Sequence, residues 1–125
     1  MNQNKVCLSI PAQKAYVPVA SLALSGLGMV LGLDVDLLGD LRTVAAESLD
    51  CLMNQAGRPS SIQITAEAAD GRLNVRFCSC DRERTQQCDE LSVDITRGVL
   101  ETLMPCVELS TDEDGVHGIE CSMPV

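Results

Sequence analysis

The sequence has very few aromatic residues: tryptophan is absent, and Tyr16 and Phe77 supply the only phenyl rings. A base-stacking platform or an aromatic sugar site needs more π-surface than that. Basic residues are also scarce, with Lys and Arg totalling 9 against 18 for Asp and Glu, a formal charge of -9. This inventory cannot neutralise a phosphate backbone, which argues against nucleic acid as the main partner. His117 is the single histidine, so a mechanism that needs two is ruled out. The opening Met-Asn-Gln-Asn-Lys is not a charged leader followed by an apolar stretch, which predicts a cytoplasmic chain. In that compartment the seven cysteines are read as reduced thiols. The longest uncharged run, Ala15 to Leu33, is interrupted by Pro18 and by serines and glycines. It reads as a buried helix rather than a membrane span.

What is present is the composition of one globular domain, residues 1–125, with 46% hydrophobic and 22% charged residues. Val6, Leu8 and Ile10 alternate in a strand that Pro11 stops. Pro18 suits the first turn of a helix running to about Leu31, with Gly32 as its left-handed terminus. Asp34 then caps a second helix, and Asp36 adds negative charge to its first turn. Leu38, Leu41, Ala45, Leu49 and Leu52 form the apolar face of that helix, which Gly57 and Pro59 end. Ile62 to Ala68 and Leu73 to Ser79 alternate on either side of Asp70-Gly71, a tight-hairpin signal. After Asp81 to Cys88, a polar stretch that reads as a loop, Leu91, Ile95, Val99 and Leu103 predict a third helix, ended by Pro105. Val107–Thr111 and Val116–Met123 make a last hairpin around Asp112–Gly115. The order β-α-α-β-β-α-β-β predicts a two-layer α/β sandwich, a mostly antiparallel sheet covered on one face by three helices.

On the second helix Asp40, Thr43, Glu47, Cys51 and Asn54 recur at steps of three or four, a polar stripe opposite the leucines. A solvated helix face has the same pattern. Cys78 and Cys80 share a strand face, and with Cys88 give Cys-x-Cys-x7-Cys, either ordinary thiols or a metal or redox sensor. A four-residue loop at Asp112–Gly115 would place Cys106 opposite Cys121, where the compartment favours thiols over a disulfide. His117 is expected on the hairpin surface. Ser21, Ser25, Gly28 and Gly32 form a small-residue ridge on the first helix, suited to packing within the monomer or to an interface.

The runs Ile10-Pro-Ala-Gln-Lys-Ala-Tyr-Val17, Leu-Ala-Leu-Ser-Gly26, Leu-Arg-Thr-Val-Ala-Ala-Glu-Ser48 and Leu100-Glu-Thr-Leu-Met-Pro-Cys-Val-Glu108 resemble the anti-sigma-factor serine kinases. These belong to the histidine-kinase-like ATPase superfamily, so the resemblance implies the Bergerat fold over nearly the whole chain. It also implies a nucleotide site in three parts. Glu47 takes the place of the residue that activates the attacking group, whereas Cys51 stands where an Asn holds magnesium. A neutral thiol is a poor ligand for that hard cation. Ser79 and Asp81 stand at the Asp and Gly of the adenine-reading Asp-x-Gly. Asp94, in Val93–Arg97, replaces a Gly-rich phosphate cradle with a negative charge. The connection after Cys80 is short for a nucleotide lid.

The resemblance therefore implies a degenerate anti-sigma-like regulator that takes no cofactor and binds a sigma factor or an anti-anti-sigma domain. Its first strand and helix would serve dimer and partner surfaces, which leaves a homodimer open. An active serine-protein kinase using ATP and magnesium is the alternative, with Glu47 as base, Asn54 or Asp50 on the metal and Asp81 reading the base. The cysteine-based sensor is a third.

Overall fold

A computed structural model of the chain describes residues 4–84 and 90–125. Strand β1 (Asn4–Pro11) leads through a 3-10 turn at Lys14–Tyr16 into helix α1 (Val17–Val30), followed by α2 (Val35–Met53). Then come the short β2 (Gly57–Arg58), β3 (Ser61–Ala69), β4 (Arg72–Cys80), the short β5 (Glu83–Arg84), α3 (Glu90–Leu103), β6 (Cys106–Asp112) and β7 (Gly115–Pro124). The main sheet has five strands in the order β1-β3-β4-β7-β6, every pairing antiparallel. Ile62, Ile64, Ala66, Leu73, Val75 and Phe77 point from it into a core shared with Leu24, Leu41, Val44, Leu49 and Leu52 of the helices. The other sheet face carries Lys5, Cys7, Gln63, Thr65, Arg76 and Glu120, polar or small side chains suited to water. The α+β class and the helix-over-sheet layering follow the sequence expectation.

Local chemistry sets the helix boundaries. At the end of α1 Gly32 has φ +78, its N–H donates to Met29 O at 3.1 Å, and Leu33 N–H donates to Gly28 O at 2.9 Å. That pair of bonds is a Schellman motif, which satisfies carbonyls the helix would leave open. Two residues later Asp34 Oδ1 accepts from Leu37 N–H at 2.9 Å, capping α2. The β3–β4 turn has φ +54 at Asp70 and +74 at Gly71, the positive pair that a two-residue type I′ turn requires.

Four sequence expectations need correction. The α3 face is rotated: Thr96, Leu100 and Met104 are buried with Val93 and Leu103 against them, while Ile95 is 59% exposed. A polar Thr in the middle of the buried stripe hid this phase from a hydrophobic count. On α2, Cys51 is buried rather than part of a solvated stripe. That helix packs against α1, α3, β4 and β7, so its buried arc is wider than a leucine face alone. The third correction is in the last hairpin, where Asp112 pairs with Gly115 and Thr111 with Val116, but Ser110 pairs with Gly118. His117 is the extra residue of a β-bulge, which shifts the register by one and pairs Cys106 with Ser122 and Cys121 with Val107. Fourth, the polar stretch after β4 is not all loop, because Glu83–Arg84 pairs with Gly57–Arg58 as a second, two-stranded sheet.

The small-residue ridge of α1 turns partly inward. A Cβ on Gly28 would lie 2.5 Å from Leu38 Cδ2 and 3.2 Å from Leu41 Cδ1, so this glycine lets α1 and α2 approach closely. Among the described residues no helix is long and apolar enough to cross a membrane.

Candidate functional site

The residues assigned to a nucleotide site sit on α2, at the end of β4 and in the first turns of α3. Glu47 is half-buried on α2 and lines a cavity of about 330 Å³ with Lys14, Val17, Ala46, Asp50 and Met53. Lys14 comes from the 3-10 turn before α1, a neighbour that the α2 stripe alone could not reveal. One turn on, Cys51 is 4% exposed, and its carbonyl and thiol face the amide of Gln55, with Nε2 at 2.8 Å from the oxygen and 3.6 Å from Sγ. Asn54 is exposed, and its Nδ2 donates to the backbone oxygen of Asp50 at 2.7 Å and to Asp50 Oδ1 at 3.2 Å. The α2 terminus thus engages two side chains, Asn54 and Gln55, in satisfying its own last carbonyls.

Ser79 lies on the core side of β4, and its Oγ is buried with no hydrogen-bond partner among the described residues. Asp81 follows β4 in an exposed, left-handed conformation, φ +54. Aspartate reaches that region more easily than most residues, and glycine reaches it freely. Asp94 is exposed near the start of α3 and lines a second cavity of about 320 Å³, shared with Gln55, Val93, Thr111, Asp112, Glu113 and Val116. Glu47 and Asp94 therefore line different cavities, and the structure does not bring the six assigned residues around one.

The second cavity is closed by a polar corner that the sequence reading missed. Gln55 is 2% exposed, and its Oε1 accepts from Val116 N–H at 2.9 Å. Gly57 N–H donates to Asp114 O at 2.8 Å. Arg82 forms a two-pronged ion pair with Asp112, Nη1 lying 3.2 Å from Oδ1 and Nη2 closer still to Oδ2. That hydrogen-bonded pairing holds the Asp112 carboxyl below the usual carboxylate range, helped by the N–H of Asp114, and raises the Arg82 guanidinium. Nothing in Met53-Asn-Gln-Ala-Gly57 distinguishes Gln55 from a solvated residue past a helix end. Its partner is 61 positions away.

Cys78 and Cys80 lie on the outer face of β4, both half-buried, and Cys88 falls outside the described residues. Among the described residues no three His, Cys, Asp or Glu side chains are placed to hold a metal.

No protein-family model matches the chain. No curated protein matches its sequence.

Proposed function

We propose that this chain is an anti-sigma-like regulatory protein with a histidine-kinase-like ATPase fold and a degenerate nucleotide site, working in the cytoplasm by binding protein. Its partner would be a sigma factor or an anti-anti-sigma domain. The reading rests on the sequence resemblance, and one observation carries its degenerate half. Cys51, in the place of the magnesium ligand, is buried against the Gln55 amide, and Asn54 and Asp50 are hydrogen-bonded to each other. A buried thiol in that place does not suit magnesium, which takes oxygen ligands in octahedral geometry. Asp94 adds a negative charge where phosphates would approach. The left-handed Asp81, at a position where the resemblance places glycine, supports the alignment of that segment.

Binding would draw on α1. The helix has no charged residue, and it exposes Leu22, Met29 and Val30 at 67%, 68% and 78%. A helix apolar on all sides is ordinarily covered. Thermal unfolding with 5 mM ATP or ADP and magnesium, about five thousand times a micromolar Kd, tests the nucleotide half. No shift in Tm is expected. A shift of several degrees would replace this reading with the active kinase. Titration of purified sigma factors and anti-anti-sigma domains from the same genome tests the partner half. One of them should bind wild type and lose affinity at least tenfold to Leu22→Glu/Met29→Glu, with Tm unchanged.

A further inference from the structure

The corner beside the second cavity joins three distant parts of the chain: the exit of α2, the β6–β7 turn and the segment leaving β4. Gln55 spans the first two, donating to Cys51 O and accepting from Val116 N–H. Gly57 N–H reaches Asp114 O, and Arg82 holds Asp112 from the third segment. The β2–β5 pairing, Gly57 with Arg84 and Arg58 with Glu83, fastens that third segment to the first. The fit is close. A Cβ on Gly115 would collide with Gln55 Oε1, and one on Gly57 would lie 2.9 Å from Asp114 Cβ.

A buried amide is costly unless its hydrogen bonds are made, and Gln55 uses both ends of its side chain. Three consecutive acids, Asp112, Glu113 and Asp114, repel one another in the turn, and Arg82 offsets part of that repulsion. We infer that this corner is a preformed clasp, which holds the β6–β7 turn and the start of the β4–α3 connection in one geometry with no small ligand bound. The inference rests on the reading above, in which that connection is not a nucleotide lid. It adds that nucleotide does not reshape this corner.

Amide hydrogen exchange by NMR on the full chain tests this. The amides of Gly57 and Val116 should be protected at least a hundredfold without ligand, and 5 mM ATP with magnesium should leave them unchanged. Gln55→Ala should lower protection at Val116 about tenfold, the effect of one lost hydrogen bond. Arg82→Gln, a change near the surface, should lower protection at Gly57 while leaving Val75 in the sheet unaffected. Exchange at Gly57 and Val116 in the wild type as fast as in an unstructured peptide would overturn the clasp, whether or not Gln55→Ala folds. So would nucleotide-induced protection at those two amides. A nucleotide-dependent rise in Tm with both amides unchanged would overturn the degenerate-site reading and leave the clasp standing.

Discussion

Cys106 lies opposite Ser122 on the exposed face of the last hairpin, while Cys121, one position along and opposite Val107, is 1% exposed in the core. The bulge at His117 puts the two thiols on opposite sides of the sheet, so a bridge between them would require the strands to slip. Burial pushes the Cys121 thiol up to about 12, helped by the negative charge of Glu120. A thiol reagent at pH 8 should therefore modify the exposed Cys7 and Cys106 in the native protein and reach the buried Cys51 and Cys121 only after unfolding. Cys106→Ser should remove one fast equivalent, and Cys121→Ser none. A fast equivalent lost in Cys121→Ser would show that the bulged register is wrong.

Stability should fall at both ends of the pH scale, for opposite reasons. Asp112 titrates lower in the folded chain than unfolded, so its contribution is present above the ordinary carboxylate range and disappears as pH falls through the lowered folded value. Cys121 titrates higher when folded, so its contribution is complete below about pH 9 and is lost as pH rises toward about 12. Chemical denaturation from pH 3 to 11 should show both limbs. Asp112→Asn should flatten the acid limb and Cys121→Ala the alkaline one, each leaving the other in place.

These features divide by range. The helix caps and the β3–β4 turn were legible because Gly32, Asp34 and Asp70-Gly71 act within three or four residues of themselves. The bulge left a trace that was available: Val116, Ile119, Cys121 and Met123 are all buried, and the step of three from Val116 breaks the strand alternation. The rotated α3 face was obscured by Thr96, a buried polar residue. Gln55 and Arg82 left no trace, because their partners lie 61 and 30 positions away and the intervening sheet register decides the meeting. For the same reason, the assigned site residues could be named from the chain, but the placement of Glu47 and Asp94 at different cavities could not.

The two glycines of α1 should respond oppositely to one added methyl group. A Cβ on Gly26 meets nothing within 4 Å, so Gly26→Ala should stabilise by about 0.5–1 kcal/mol through reduced backbone entropy. Gly28→Ala adds the same helix propensity but drives into Leu38 and Leu41 on α2. Overpacking of that kind costs roughly 1–3 kcal/mol, which exceeds the gain. Urea denaturation of the pair should give a higher midpoint for Gly26→Ala and a lower one for Gly28→Ala. Equal shifts would mean that the Leu38 and Leu41 side chains give way to the added methyl group.

Ser48 follows Glu47 within the segment that carries the family resemblance, yet it is fully buried and its Oγ has no hydrogen-bond partner among the described residues. A buried hydroxyl without a bond costs about 1–3 kcal/mol, and serine is also a weaker helix former than alanine. Ser48→Ala removes one oxygen from the α2 core and should raise stability by about 1 kcal/mol, a few degrees in Tm for a domain of this size. Ser48→Val is the control for size: its second methyl group must be accommodated by α2's packed neighbours, so it should lose what the alanine gains. If Ser48→Ala instead lowers Tm, the hydroxyl has a bonding partner, and α2 has kept a polar contact that its core does not otherwise explain.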